Sequence, residues 1–419
     1  MPMVVVIHPT GNQNVRSVLT ALNHRRLLAR YATALGHAGE SRSLRWLPNR
    51  WREEWGRRAY ALPRQLVWQS PARELVRLGA ERAGWNFLIR QETGPFCTDA
   101  VYRNLDLRVA AGLEAMMKTK GIAGIYGYED GCAASFRRGK ALGLACLYDL
   151  PIAYWETGRR LLEEEAARLP AWAPTLGRMS ERGMKIQRKV EELKLADVVF
   201  CPSSFVADSL PLWARQSKEV VVAHFGSPAG TADGTDPRVG AASGGGRLRV
   251  LFAGSMSQRK GLGDLFAAMN HLGRRDIELV VMGSPQAPMP FYREQYPDFT
   301  YEGTRPHAEV LRLMRSCDVL VLPSIVEGRA LVMQEAMSQG LPIVITANTG
   351  GEDLIEPGQT GFLVPIRSPE AIADRLAWLA DHRDQTRAMG ESARLKAATY
   401  SWSNYGDEVA RVIERKVQS

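Results

Sequence analysis

The sequence predicts an α/β protein with two parallel sheets, one in each of two domains. Short runs rich in Val, Ile and Leu alternate with helical patterns along the chain, which is typical of parallel strands joined by crossover helices. At 419 residues, the chain exceeds what one hydrophobic core usually organises. Residues 226–246 have neither periodicity nor apolar content, which indicates a linker. We therefore expect an N-terminal domain at 1–225 and a second domain from residue 247 onwards.

The N-terminal domain is expected to open with a strand and a helix. Residues 4–7 are Val-Val-Val-Ile, and Asn14 can cap the helix that follows them. The apolar residues of this helix recur at the spacing of one buried face: Val15, Val18, Leu19 and Leu22. Five strands are predicted in this domain, at residues 4–7, 124–128, 151–155, 198–201 and 220–224.

The alternation of strand and helix patterns resumes after the linker. Five further strands are predicted at residues 248–253, 278–282, 319–322, 342–346 and 362–364. Helices are predicted at residues 330–339 and 405–417. We expect the second domain to end near residue 399, and the final helix, at about 400–419, to pack back on the N-terminal domain.

The cysteines and the start of the chain indicate where in the cell the protein is expected. The five cysteines are scattered, with none of the paired spacings that hold zinc or mark a redox site, so we expect reduced thiols. The chain opens on a strand-like run instead of a signal peptide, and no run approaches the ~20 apolar residues of a membrane span. The sequence therefore predicts a cytoplasmic protein whose membrane contact, if any, is peripheral and on the inner membrane face.

Positive charge is concentrated at the N-terminus. Residues 1–100 carry fifteen arginines, no lysine and seven acidic residues, almost all of the net charge of +9. Because guanidinium groups bind phosphate and carboxylate in bidentate fashion, this excess suggests an anionic acceptor or a lipid surface, with a solvated basic face as the alternative. Trp46, Trp51 and Trp55 lie among these arginines, which suggests membrane-surface contact, with core packing as the alternative. No nucleic-acid motif is present, so no nucleic-acid partner is expected.

The most informative stretch is residues 319–365, where a buried strand, a turn, a helix and a second strand follow one another. Glu327 stands just before the helix and Glu335 lies within it, so they are about 12 Å apart along its axis, roughly the reach from sugar to ribose in a nucleotide sugar. Free N–H groups at the helix N-terminus can bind the pyrophosphate between them: those of Gly328, Arg329, Ala330 and Leu331. The alternative is a helix whose glutamates are only solvated charges.

The surrounding motif strengthens the functional interpretation. Pro-Ser precedes Glu327, Glu-Ala-Met begins at Glu335, and a Gly-Gly pair follows the next strand. In these features the chain resembles the family 4 retaining glycosyltransferases of the GT-B fold, also described as glycosyl transferases group 1. The resemblance is strong at residues 248–365. It implies two Rossmann-like domains facing a cleft, a nucleotide-sugar donor in the C-terminal domain, and a saccharide or lipid-linked acceptor in polysaccharide or glycoconjugate synthesis.

The resemblance also implies roles for individual residues. Glu327 would bind hydroxyls of the donor sugar and act in catalysis, and Glu335 would bind the ribose. The backbone of residues 328–330 would hold sugar and phosphate. Arg329 departs from the Gly-Phe-Gly that many relatives have there.

A second element follows the first strand of the C-terminal domain. Lys260-Gly261 matches the Lys-Gly of the family, which implies that Lys260 contacts the donor pyrophosphate and stabilises the leaving group. Gly254 opens this loop, and Arg259 can supply the second cation where many relatives carry Arg in place of Ser255. If these cations were only surface charges at a helix start, they would oppose the helix dipole. Three further residues sit where the family contacts the base, with ordinary loop chemistry as the alternative: Gly283, Glu302 and Gly303.

Two turns of the N-terminal domain are candidates for the acceptor side. Thr10, Gly11 and Asn12 follow the first strand, where Gly11 lets the backbone approach the donor phosphates or the acceptor. A second turn ends a strand where relatives often place a His and an acidic residue, and it contains Tyr128, Glu129 and Asp130. By resemblance this turn binds the acceptor or braces the reacting sugar, with Glu129 and Asp130 as catalytic candidates. Both turns also have an ordinary explanation as strand-end turns.

Other nucleotide-binding classes fit poorly. The Gly-x-Gly-x-x-Gly of dehydrogenases, the phosphate loop of nucleotide hydrolases and the Asp-x-Asp of metal-dependent transferases are all absent. The sequence therefore predicts neither a cofactor nor an obligatory metal ion. Two alternatives to a transferase stay open: a GT-B nucleotide-sugar epimerase and a non-catalytic relative that binds sugar nucleotides.

Overall fold

A computed structural model describes residues 2–39, 56, 58–177, 183–228 and 246–418. Its two large sheets are entirely parallel, and helices pack against them. The predicted α/β class with two parallel sheets is therefore confirmed. Most of the predicted linker lies outside the described residues, as does the region that contains Trp46, Trp51 and Trp55.

Strands and helices are numbered here in chain order. The strands are β1 (Met3–Ile7), β2 (Leu28–Thr33), β3 (His37–Ala38), β4 (Ala59–Tyr60), β5 (Val67–Gln69), β6 (Ile122–Tyr128), β7 (Ala145–Asp149), β8 (Val198–Cys201), β9 (Glu219–Val222), β10 (Leu248–Ala253), β11 (Ile277–Met282), β12 (Phe299–Tyr301), β13 (Val319–Leu322), β14 (Ile343–Ile345) and β15 (Gly361–Leu363). The helices are α1 (Gln13–His24), α2 (Pro71–Arg82), α3 (Asn86–Ile89), α4 (Thr98–Lys120), α5 (Ala133–Ala141), α6 (Trp155–Arg168), α7 (Gly183–Leu195), α8 (Ser204–Ser209), α9 (Leu212–Ser217), α10 (Leu262–Leu272), α11 (Met289–Gln295), α12 (His307–Arg315), α13 (Leu331–Ser338), α14 (Pro369–Asp381), α15 (Arg383–Ala398) and α16 (Trp402–Gln418).

Both large sheets are doubly wound. The N-terminal sheet has the order β5-β2-β1-β6-β7-β8-β9, and the C-terminal sheet has the order β12-β11-β10-β13-β14-β15. The strand order reverses between β1 and β6 in the first sheet and between β10 and β13 in the second. Ligands of open parallel sheets bind at the carboxyl ends of the strands beside such a switch point. The topology therefore gives each domain one candidate ligand crevice.

The first helix agrees with its predicted pattern except at its start. Its predicted inner face is buried, as shown by Val15, Val18, Leu19 and Leu22. The helix begins at Gln13, and the capping position belongs to Asn12, whose side chain makes no capping hydrogen bond. The predicted cap at Asn14 is therefore wrong. That side chain is buried within the helix, where its amide donates to the Asp149 carboxylate at 3.5 Å.

All predicted strands but one are present within about two residues of their predicted bounds. The exception is the strand predicted at residues 151–155. The strand lies earlier, at Ala145–Asp149, and residues 151–154 form the turn that leads into α6. Pro151 has no backbone N–H to donate to a neighbouring strand, so a central strand ends before it.

The last helix returns to the N-terminal domain. Its inner face is buried in the same core as β1, through Tyr405, Val409, Ala410 and Ile413. Gly406 lies against α1, where a Cβ atom would be 2.4 Å from the Ser17 carbonyl oxygen. Residues from the C-terminal end of the chain thus complete the core of the first domain.

A segment of the N-terminal half packs, in turn, on the C-terminal domain. This strap, residues 155–176, consists of α6 and the 3-10 helix Pro170–Leu176, and it leaves the first sheet between β7 and β8. Trp172 is only 3% exposed and belongs to the hydrophobic core of the C-terminal domain. The strap is also bound to that domain by an ionic cluster of Glu165, Arg168, Gln258, Asp264 and Arg367. The two halves therefore exchange a segment in each direction.

Among the described residues, no helix has both the length and the apolar character of a membrane span. All five cysteines are buried and carry free thiols.

Candidate active site

Two loops of the C-terminal domain meet at its switch point. One joins β10 to α10 and carries Gly254, Arg259 and Lys260, and the other joins β13 to α13 and carries Glu327. The two loops touch through their backbones, because the Ile325 N–H donates to the Arg259 carbonyl at 2.9 Å. The fold therefore brings together the two motifs that the sequence marks as donor-binding.

Glu327 forms ion pairs with two cations in this crevice. Its Oε2 atom accepts hydrogen bonds from the Lys260 ammonium and, at 3.1 Å, from the Arg259 guanidinium. Burial raises the pKa of the Glu327 carboxyl, but attraction to Lys260 and Arg259 outweighs burial and holds that pKa below its ordinary value. Burial lowers the pKa of Lys260, and Glu327 opposes this shift. One carboxylate thus faces two cations, a balance that suits an anionic ligand.

Glu335 has a different partner. Its carboxylate lies 3.1 Å from Nε2 of His307, which donates to it when that nitrogen carries the proton. Glu335 is in α13, which Glu327 precedes, and its side chain is 20% exposed. The two glutamates are therefore held separately, as expected if they bind different parts of one donor.

Gly328 lies against the N-terminal domain. A Cβ atom at this position would be 1.9 Å from the Pro151 carbonyl oxygen, so a larger residue does not fit. The Gly328 carbonyl accepts a hydrogen bond from the Ser203 hydroxyl at 2.7 Å. Because Pro151 and Ser203 follow β7 and β8, the carboxyl edge of the first sheet touches the loop that carries Glu327. The crevices of the two domains therefore face each other.

The start of α13 offers fewer free donors than the sequence suggests. The Ala330 N–H donates to the Thr349 carbonyl at 3.3 Å. The expectation that Gly328, Arg329, Ala330 and Leu331 all present free N–H groups is therefore wrong at Ala330. A pyrophosphate at this site would have to use the other three.

The Arg329 side chain is fully buried at the domain junction. Its guanidinium pairs with Asp353 at 2.6 and 3.0 Å and donates to the Gln334 side chain at 2.9 Å. It also lies 3.2 Å from the His224 ring nitrogen and 5.3 Å from the centre of the Tyr400 ring. His224 precedes the linker and Tyr400 precedes the last helix, so Arg329 contacts the chain just before each of these two connections between the domains. A phenylalanine at this position could not form this network.

The candidates for contact with the base form one surface beside the switch point. The Gly283 N–H donates to the Gly303 carbonyl at 3.1 Å. A Cβ atom on Gly283 would lie 1.7 Å from the Gly254 carbonyl oxygen, so the loops after β10, β11 and β12 are in close contact. The Glu302 carboxylate pairs with Arg305, which leaves the backbone of this loop as the more available partner for a base.

Aromatic side chains hold the first turn of the N-terminal domain. Gly11 has φ of +60°, and a Cβ atom there would lie 2.4 Å from the Tyr60 hydroxyl, so the turn requires glycine. The Tyr60 hydroxyl donates to the Thr10 carbonyl at 2.9 Å. Burial raises the pKa of Tyr128, and a hydrogen bond with the Asn12 side chain opposes that shift. The structure therefore joins the two acceptor-side turns at the switch point of the first sheet.

His8 is a candidate that the sequence interpretation missed. Its ring lies 4.4 Å from the Tyr128 ring, centre to centre, and its Nδ1 accepts from the Gly11 N–H at 2.6 Å. Burial lowers the pKa of His8 to about 3, so the ring is neutral and carries its proton on Nε2. Within the described part of the chain, Nε2 is buried without a hydrogen-bond partner. The His8 imidazole thus lies beside the turn of residues 128–130, which contains no histidine of its own. The sequence feature that indicates His8 is its position directly after a buried strand.

Glu129 and Asp130 are bound to cations of α7. Asp130 lies 3.2 Å from the Lys185 ammonium and 3.5 Å from the Arg188 guanidinium. The Glu129 carboxylate is 3.5 Å from the Lys189 ammonium. Both carboxylates therefore have partners within their own domain. A substrate that contacts them would compete with the cations of α7.

Comparisons with known proteins agree with this geometry. Residues 247–382 match the family described as Glycosyl transferases group 1. The D-inositol 3-phosphate glycosyltransferase of Corynebacterium glutamicum (strain R) is 34% identical over 168 residues, which are 37% of this chain. The match spans only 40% of the length of that relative.

Solved structures match along almost the whole chain. Sucrose-phosphate synthase from Thermosynechococcus elongatus superposes with a TM-score of 0.66 at 16% identity over 99% of both chains. HepE from Anabaena, in complex with UDP, gives a TM-score of 0.62 at 15% identity over 99% of this chain and 100% of that one. At such identities the likeness concerns the fold alone. The chain therefore has the GT-B fold, and residues 247–382 of its C-terminal domain are similar to the glycosyl transferases group 1 family.

Proposed function

We propose that this protein transfers a sugar from a nucleotide-sugar donor, bound in the C-terminal domain, to an acceptor on the N-terminal side. The observation that carries this proposal is the convergence of Lys260 and Arg259 on Glu327 at the switch point. The cations suit the diphosphate of such a donor, and the carboxylate suits the hydroxyls of its sugar. HepE, which shares the fold, was solved with UDP and with UDP-glucose.

We infer that the reaction retains the configuration of the sugar. The bond from the sugar C1 to the donor phosphate breaks, and the bond from C1 to the acceptor oxygen forms on the same face. The departing phosphate oxygen takes the proton of the acceptor hydroxyl, so this route needs no separate strong base. Lys260 and Arg259 stabilise the leaving diphosphate, and Glu327 stabilises the positive charge that develops on the sugar. These two cations replace the metal ion of other transferases, and we propose no metal or cofactor.

We propose that the acceptor is an anionic or lipid-linked saccharide or glycan, used in polysaccharide or glycoconjugate synthesis. The arginine excess of residues 1–100 supports this assignment, because it favours phosphate or carboxylate on the acceptor side. The Corynebacterium glutamicum relative is named for D-inositol 3-phosphate, a phosphorylated compound. The buried free thiols of the five cysteines support a cytoplasmic location.

The donor and the reaction can be tested together. A thermal-shift panel of nucleotide sugars should identify the donor, because a ligand that binds only the folded state raises its stability. With that donor, we expect acceptor-dependent release of nucleoside diphosphate, one for each glycosylated product. Turnover of the donor that ignores the acceptor indicates an epimerase. Binding without turnover of any acceptor indicates a sugar-nucleotide-binding protein, and either result contradicts the proposal.

Replacing Glu335 with alanine should weaken donor and free nucleoside diphosphate equally, by about 10- to 100-fold, because both contain the ribose that a charged hydrogen bond would hold. Calorimetric titration with both ligands measures the loss. Glu309→Ala is the matched control, since Glu309 lies in the neighbouring helix and pairs only with arginines among its described partners. If Glu335→Ala binds the diphosphate as tightly as the control does, the ribose assignment is wrong.

A further inference from the structure

We propose that the tip of the N-terminal domain, residues 81–90, is a docking surface for an anionic lipid bilayer. Large apolar side chains are exposed at and beside the tip: Leu75, Val76, Trp85 and Phe87. Trp85 is 56% exposed and Phe87 is 67% exposed. Residues 81–87 are all exposed, so this part of the chain projects from the domain surface. The inference does not depend on the proposed transfer reaction.

The backbone of the tip is ordered by hydrogen bonds. The Trp85 N–H donates to the Ala80 carbonyl at 2.9 Å, and the Leu88 N–H donates to the Trp85 carbonyl at 3.0 Å. The Phe96 N–H in turn donates to the Leu88 carbonyl at 3.0 Å, which ties the tip to the following turn. The fold thus fixes Trp85 and Phe87 in water, where exposed apolar area is unfavourable. Such a cluster indicates a surface that is covered when the protein functions.

The charges around the tip leave it basic. Glu74 is buried and pairs with Arg77 at 2.8 Å, and Arg77 also pairs with Glu81 at 3.2 Å. Arg73 donates to a backbone carbonyl at 2.6 Å, a neutral partner that does not cancel its charge. Arg90 is exposed at the end of the tip. Residues 71–92 thus carry four arginines and three glutamates, a balance of one positive charge, and Glu74 is also paired with Arg58 from outside this segment.

An anionic bilayer fits this surface better than a second copy of the chain. The chain carries a net charge of +9, and the excess lies in the same hundred residues as the tip, so two such surfaces repel each other. Tryptophan and phenylalanine favour the interfacial layer of a bilayer, while arginine binds lipid phosphate beside them. A bilayer with acidic headgroups can cover the exposed apolar side chains of this surface and bind its arginines.

Vesicle flotation of the full chain tests the assignment. We expect the protein to float with vesicles of phosphatidylcholine and phosphatidylglycerol, to float poorly with phosphatidylcholine alone, and to be released by salt. The double variant Trp85→Ser, Phe87→Ser should lose at least tenfold in partitioning, and Arg90→Glu should lose several-fold. Leu395→Ser is the matched control, because Leu395 is 58% exposed but lies in α15 of the other domain, and it should float as the parent does.

Several outcomes overturn the proposal. It fails if the parent ignores lipid charge and salt, or if both tip variants float as the parent does. A parent dimer that the double variant converts to a monomer, with no change in flotation, identifies the tip as a contact between copies instead. Thermal melting shows whether each variant is folded. If the double variant is unfolded, flotation of Arg90→Glu still tests the proposal. No nucleotide sugar enters the assay, so its failure leaves the proposed transfer reaction intact, and failure of the transfer reaction leaves the docking surface intact.

Discussion

Glu327→Gln is expected to reduce turnover by about 100- to 1000-fold while free nucleoside diphosphate binds as tightly as before or more tightly. The amide keeps the size of the side chain but loses the charge that stabilises the transition state of the sugar. It also releases Lys260 and Arg259 from the carboxylate that holds them, so both cations become more available to a diphosphate. Steady-state rates and calorimetric titration with the diphosphate measure the two effects separately.

The comparison with Glu335→Ala makes this prediction specific. That variant should lose diphosphate affinity, whereas Glu327→Gln should lose turnover, because only the second acts where bonding changes during the reaction. Should Glu327→Gln lose diphosphate affinity and keep its turnover, the roles assigned to the two glutamates are wrong. Equal losses of both quantities in both variants would show that this helix is required for folding of the site, without distinct contacts to the donor.

The C-terminal domain was the easier half to predict. Its central strands are buried on both faces and therefore contain continuous apolar runs, as at residues 250–253 and Val319–Leu322. Lys260 and Glu327 could be identified because the Lys-Gly motif and the Pro-Ser that precedes Glu327 resemble those of family 4 glycosyltransferases, and both motifs follow such strands. Their direct contact could not be predicted, because it joins residues 67 positions apart and depends on β10 lying beside β13.

The N-terminal domain shows where sequence patterns are insufficient. β2 was missed because Arg30 interrupts its apolar run, although that position is only partly exposed. The strand at Ala145–Asp149 was placed six residues late, since residues 151–155 are also apolar and aromatic. The pairing of His8 with Tyr128 likewise arises from two strands that are far apart in sequence and adjacent in the sheet.

The strap had no sequence signal at all, yet it supports the donor loop. The Gln258 side chain donates to Glu165 at 3.0 Å and to Asp264 at 2.8 Å, and Arg168 of the strap donates to Asp264 at 2.7 Å. Burial raises the pKa of Asp264, and attraction to Arg168 opposes this shift. Gln258 stands two residues before Lys260, so this cluster ties the cation of the donor site to the N-terminal half of the chain.

Trp172→Ala is therefore expected to destabilise the C-terminal domain by about 3–5 kcal/mol, as truncation of a buried tryptophan usually does. The Trp172 ring lies 4.9 Å from the ring of Phe291 and 5.9 Å from that of Phe266, both in the C-terminal domain. Its indole N–H donates to the Gln295 side chain at 3.2 Å. Alanine would leave a cavity among these groups and one unpaired acceptor. Urea denaturation, which gives the free energy of unfolding, measures the loss.

Trp213→Ala is the control for this variant, because Trp213 is 41% exposed and its truncation should change the free energy of unfolding by no more than about 0.5 kcal/mol.

The role of Trp172 also predicts the behaviour of a fragment that begins at Arg247. Such a fragment contains Lys260, Glu327 and Glu335, but it lacks the strap and leaves the cavity of Trp172 open. We expect it to be much less stable than the same domain in the full chain, and to bind nucleotide only to the extent that it folds. If Trp172→Ala unfolds like the control and the fragment is as stable as the full chain, the strap is a surface contact and the C-terminal domain is complete without it.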